Sequence, residues 1–100
     1  MVRVKITRLA SRDLESIQEY GRVQFGASVT DDFMEGFDGI FERLERFPHA
    51  GFAMREYGRG VRSCLHKPYR VLYRYEGGEV SILRILHTAQ RICRIDDNLP

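Results

Sequence analysis

The residues Val29, Phe33, Phe37, Ile40, Phe41, Leu44 and Phe47 recur at steps of three and four and run up to Pro48. At 3.6 residues per turn, that spacing gathers them on one stripe of a helix. Asp31, Asp32, Glu35, Asp38, Glu42 and Glu45 fill other positions of the same segment. A stripe this rich in Phe has to be buried, so the helix needs a partner surface, and its rings read as core. Ser28 is the expected N-cap, with Asp31 three residues on. Pro48 lacks the N–H that a further turn requires, so the helix stops there. Gly36 and Gly39 each cost about 1 kcal/mol relative to Ala inside a helix. Their presence predicts close approach of another backbone.

The flanking segments say what the partner surface is. Val2-Arg3-Val4-Lys5-Ile6 alternates apolar and basic residues, the pattern of a half-buried strand with Val2, Val4 and Ile6 inward. From Ala10 the period lengthens: Ala10, Leu14, Ile17 and Gly21 or Tyr20 mark one helical face, with Thr7 or Ser11 as the cap and Gly26 as the stop. The few residues around Gly26 make the two helices an antiparallel hairpin. Pro48 to Gly60 holds Gly51, Gly58 and Gly60 and reads as a loop. Three strand patterns follow, at 61–66, 69–75 and 80–87. Gly77-Gly78 between the last two is a two-residue hairpin signal. The last strand is apolar on both faces, as a central strand is. The fold class is therefore α+β: a single domain over residues 1–100, ordered β-α-α-β-β-β, with a helical hairpin on one face of a mainly antiparallel sheet. Residues 93–100 read as a loosely ordered tail.

Net charge, +2 over 100 residues, is too small to indicate a nucleic-acid partner by itself. Its distribution is more informative. Residues 27–47 carry two basic and six acidic side chains, a balance of −4, whereas residues 48–76 carry six basic and two acidic, a balance of +4. No apolar run reaches the roughly 18 residues of a membrane span. The N-terminus shows no signal-peptide core. Cys64 and Cys93 form no C-x-x-C pair and have no His at ligand spacing. Neither a metal nor a cofactor is expected, and the two thiols fit a reducing cytoplasm.

Period-two geometry sorts the basic residues. Arg70, Leu72 and Arg74 share one face of their strand, opposite Tyr69, Val71, Tyr73 and Tyr75. Arg62 and His66 share a face of the strand before. Val80, Ile82, Arg84 and Leu86 share a face of the last strand. This predicts an arginine cluster on the sheet face away from the helices. Guanidinium forks there would suit phosphates or carboxylates, or would simply solvate the face. His87, three residues after Arg84, is either a general acid or base or a hydrogen-bonded structural histidine.

These residues carry a resemblance. Ala10…Asp13-Leu14…Ile17…Tyr20…Gly26, then Leu44…Pro48…Gly51, then Gly60-Val61-Arg62, Tyr69-Arg70-Val71-Leu72-Tyr73-Arg74 and Ile82-Leu83-Arg84-Ile85-Leu86-His87 together resemble the ParE toxins of the ParE/RelE superfamily, over about residues 3–91. The resemblance implies the toxin of a type II toxin–antitoxin pair that inhibits DNA gyrase and so replication. Its partner would be a ParD-like antitoxin with an acidic C-terminal segment. Neither membrane association nor sequence-specific DNA binding is implied.

On the same resemblance, Arg84, His87 and Arg91 would meet the target. Arg62, Arg70, Arg74, Phe33 and Phe37 would meet the antitoxin. A RelE-like alternative, a ribosome-dependent mRNA endonuclease without metal, would use Arg62, Arg84 and His87 as catalytic groups. Thr88 stands after His87 where that subgroup has an aromatic residue, and Gln90-Arg91 stands where Arg-Asp is common. A third alternative is a non-toxic partner-binding relative of the same fold.

Overall fold

The computed structural model describes residues 1–90. Strand β1 (Arg3–Ile6) leads into helices α1 (Arg8–Phe25) and α2 (Ala27–Arg46). A short strand β2 (Phe52–Ala53) and a 3-10 turn (Arg55–Tyr57) follow. Strands β3 (Val61–His66), β4 (Tyr69–Glu76) and β5 (Glu79–His87) complete the order. The sheet runs β1-β5-β4-β3-β2. Every pairing is antiparallel except β1 with β5. That one parallel pair requires a crossover, and the helical hairpin supplies it.

Local chemistry explains the elements. Thr7 caps α1, its side chain accepting from Ala10 N. The same hydroxyl donates to the Ile82 carbonyl at 2.7 Å, which ties the helix start to β5. The hairpin connection is the single residue Gly26, at φ 86°, a conformation that favours glycine. Gly26 is also the N-cap of α2, which has no side-chain cap; the expected Ser28 cap is replaced because the helix begins at Ala27. Gly77 and Gly78 both sit at positive φ, 58° and 76°, as a tight hairpin between β4 and β5 demands.

The main core lies between the helices and one sheet face. Ala10, Ile17, Phe37, Ile40 and Leu44 pack there on Cys64, Val71, Tyr73, Val80, Ile82 and Ile85. The ends of the α2 stripe escape burial: Val29 is 58% and Phe47 61% exposed. Ile6, expected inward, is 42% exposed because β1 is an edge strand of only four residues.

The segment read as a loop does more than connect. β2 extends the sheet beside β3, and Met54 and Tyr57 pack with Val61, Leu72, Leu83 and Leu86 as a second cluster. Both faces of β5 are thus buried, as its sequence predicts. The two small glycine questions of α2 separate cleanly. A Cβ on Gly36 would fall 2.3 Å from the His66 ring, so this glycine admits a side chain rather than a backbone. Gly39 faces open space.

One irregularity reorders the faces of β5. Leu72 pairs with Arg84, but Tyr73 pairs with Ile82, so Leu83 is an extra residue opposite β4. A bulge of this kind shifts the alternation by one. Val80, Ile82 and Ile85 therefore join the helix-side core, whereas Leu83 and Leu86 join the second cluster. The expected single face Val80-Ile82-Arg84-Leu86 is corrected accordingly.

Candidate functional site

The helical hairpin and the end of the sheet enclose an apolar groove of about 530 Å3. Its walls include Ile17, Tyr20, Phe25, Val29, Phe33 and Tyr69, with His87 at the sheet end. The geometry follows from the hairpin. Gly21 on α1 meets Thr30 on α2 so closely that a Cβ would lie 2.7 Å from Thr30 Oγ1. The helices therefore approach at that point, and the residues flanking it splay outward. Tyr20, Phe25 and Val29 are 58%, 64% and 58% exposed. Adjacent apolar exposure of this extent marks a binding surface more than a solvated one.

Phe33 forms the floor. Its ring stacks on His66 at 4.2 Å, and His66 Nε2 lies 2.8 Å from the Phe33 carbonyl. Phe37 meets the same imidazole edge-on at 4.7 Å. Phe37 is only 1% exposed, so it supports the groove from beneath and offers no contact surface. Tyr69 stands between Phe33 and His87. Burial pushes its phenol above the ordinary value, and the Tyr20 phenol adds to the rise. His87 is exposed and locally held: Nδ1 accepts from Ala89 N at 3.1 Å, and its backbone N–H donates to the Gln90 side chain.

The arginines do not gather as the strand pattern suggests. Arg62 is registered opposite Tyr73, whose ring lies in the helix-side core. It is therefore on the helix side, where its Nη1 donates to the carbonyls of Gly51 and His49 at 3.0 and 3.3 Å. Arg70 and Arg74 are on the opposite face with Leu72, as expected. Among the described residues, Arg70 Nε is buried without a hydrogen-bond partner. Arg74 Nε donates to the Arg59 carbonyl at 3.0 Å and lies 3.3 Å from Glu76.

Arg84 is committed within the fold. Its Nε and Nη2 donate to the two oxygens of Asp13 at 2.8 and 3.1 Å. That bond holds the guanidinium pKa above its ordinary value, against the opposing effect of burial. Arg62, Arg84 and His87 are not brought together. Arg62 shares a row of the sheet with Tyr73 and Ile82, and His87 is five residues farther along β5, roughly 17 Å at strand spacing. Arg91 lies outside the described residues.

The ParE toxin of the type II toxin–antitoxin system parDE is the family whose model matches residues 4–92. The chain belongs to the ParE toxin family. Toxin ParE3 of Caulobacter vibrioides is 36% identical over 86 residues, 86% of each chain. The chromosomal ParDE toxin–antitoxin system of P. aeruginosa contains a chain of similar fold, with a TM-score of 0.75 and 27% identity over 87% of this chain and 96% of that one. A chain of the RelBE2 toxin–antitoxin complex of Mycobacterium tuberculosis matches at a TM-score of 0.57 and 29% identity, covering 86% and 96%. Within this ParE-family frame, sequence reasoning missed Tyr20, Phe25 and Val29 as groove residues. The signal was present in part: Val29 opens the apolar stripe one turn before Phe33. What was not visible is that the hairpin leaves that turn uncovered.

Proposed function

We propose that this chain is the toxin of a toxin–antitoxin pair that acts by binding DNA gyrase and so arrests replication in the bacterial cytoplasm. The observation that carries a binding mode is the Arg84–Asp13 pair. The arginine a nuclease would direct at a phosphate is held by a carboxylate instead, and the other two nuclease candidates lie elsewhere. In this reading the exposed end of β5 at His87, with Arg91 beyond it, meets the target.

The antitoxin is ParD-like, and the apolar groove receives an amphipathic helix from it. Aromatic and aliphatic anchors would enter between Tyr20, Phe25, Val29 and Phe33. Arg70 and Arg74, in the segment whose balance is +4, would attract its acidic stretch. The test is plasmid cleavage by purified gyrase. Added protein should accumulate linear, enzyme-trapped DNA, and the antitoxin should suppress that product. No trapped DNA at toxin excess would reject the gyrase reading. Cutting of message on translating ribosomes would favour the RelE-like one.

A further inference from the structure

Building on the reading of the apolar groove as the antitoxin's helix site, we propose that Thr30 selects the helix that enters it. The Thr30 hydroxyl meets an uncharged polar side chain of that helix, and this one contact fixes the helix's register.

Thr30 follows Val29 on α2, lines the groove and is only 3% exposed. Its backbone is satisfied, since Thr30 N donates to Gly26 O at 3.2 Å. Its side chain is not: among the described residues, Oγ1 is buried without a hydrogen-bond partner. A buried hydroxyl left unmatched destabilises the chain that carries it. Valine has the same branched shape and the same stiffness in a helix without that defect. The free fold therefore gives the hydroxyl no use, whereas a polar group arriving in the groove does.

The hydroxyl sits in a notch of the groove wall. Gly21, on the facing turn of α1, also lines the groove. A Cβ on Gly21 would lie 2.7 Å from Thr30 Oγ1 and 2.9 Å from its Cγ2. The missing side chain of Gly21 thus makes the room that the branched end of Thr30 occupies. Threonine in a helix divides between two χ1 rotamers, so the hydroxyl can turn to an arriving group without backbone movement.

The lining restricts what that group is. None of the groove's lining residues is Asp, Glu, Lys or Arg. A charged side chain at this depth would lose its hydration without gaining a counter-charge. An amide or hydroxyl side chain, from Asn, Gln, Ser or Thr, can donate to or accept from the Thr30 hydroxyl. Ile17, Phe25, Val29 and Phe33 offer apolar contact to many sequences in many registers. One buried polar match discriminates among them, because a slid or wrong helix leaves polar groups unpaired.

Surface plasmon resonance with the purified full-length cognate antitoxin, on toxin variants checked by thermal melting, tests this. Thr30→Val should weaken antitoxin binding about tenfold or more, since the partner's polar side chain then faces a methyl group. The same variant, free of antitoxin, should melt at or above the native temperature. Thr30→Ser keeps the hydroxyl and should bind within about threefold of native. The exposed Val29→Asp tests the groove itself by placing a charge on its apolar wall. Native affinity in Thr30→Val with binding weakened by Val29→Asp would overturn the role of Thr30 and leave the groove reading standing. Native affinity in both would overturn the groove reading and this role with it. Thr30→Ser binding as weakly as Thr30→Val would assign the effect to the methyl group and overturn the hydroxyl contact. A lower melting temperature for Thr30→Val at unchanged affinity would mean that the hydroxyl serves the hairpin, which also overturns the proposal.

Discussion

Asp13 and Arg84, 71 residues apart in the chain, are joined by a two-point ion pair across α1 and β5. Asp13 Oδ2 also accepts the Ile85 backbone N–H at 2.8 Å. One carboxylate therefore serves three donors at the place where the bulge breaks the regular ladder. Both side chains are more than three-quarters buried, at 23% and 17% exposure. Asp13→Ala leaves the cation and a backbone donor without their acceptor and should cost about 2 kcal/mol. Asp13→Asn should cost less. Urea denaturation measures both, and a neutral Asp13→Ala would mean that the pair contributes nothing to the fold.

Gly36 and Gly39 give a matched test of α2. Gly36→Ala forces a methyl group into the His66 ring, which is itself pinned between Phe33 and the Phe33 carbonyl. The overpacking should cost about 1–3 kcal/mol. Gly39→Ala meets nothing and gains helix propensity, so it should stabilise by about 1 kcal/mol. Thermal melts of the two variants should move in opposite directions.

Tyr73 holds the loop that carries Arg62's anchors. Its hydroxyl donates to Pro48 O at 2.9 Å and accepts from Gly51 N at 2.8 Å. Tyr73→Phe strands a buried N–H and should cost about 1–2 kcal/mol. Amide exchange at Gly51 should accelerate in that variant beyond what the global loss of stability explains.

Stability should fall as the solution becomes alkaline. Burial raises the Cys64 thiol and the Tyr69 and Tyr73 phenols above their ordinary values. Above those ordinary values, about 8.5 for a thiol and 10 for a phenol, the unfolded chain releases protons that the folded chain keeps. The difference favours unfolding, so this part of the stability is full below about pH 8 and declines above it. Denaturation midpoints at pH 7, 9 and 10 measure the decline. In a Cys93→Ser background, Cys64 should react with a thiol reagent only as the protein unfolds.

Most of the architecture was legible because its signals are local. The stripe from Val29 to Phe47, the Gly77-Gly78 turn and the two-sided apolar pattern of 80–87 each specify an element without reference to distant residues. The site was less legible because its determinants are not local. One extra residue at Leu83 changed which face Leu86 occupies. Pairing opposite Tyr73 put Arg62 on the helix side, and no spacing within β3 alone reveals that register. Arg84 reads as a cluster arginine until Asp13 is known to lie beside it. Phe37 and Val29 belong to one stripe, yet packing buries the first and leaves the second at the groove.

Supercoiling of relaxed plasmid by purified gyrase, titrated with the full-length protein, tests the central claim most directly. The account predicts inhibition that grows with toxin concentration, persists in Arg62→Ala once correct folding is verified, and is reversed by the cognate antitoxin. Full supercoiling at toxin excess over gyrase, with Arg62→Ala instead abolishing cleavage of ribosome-bound message, would contradict it.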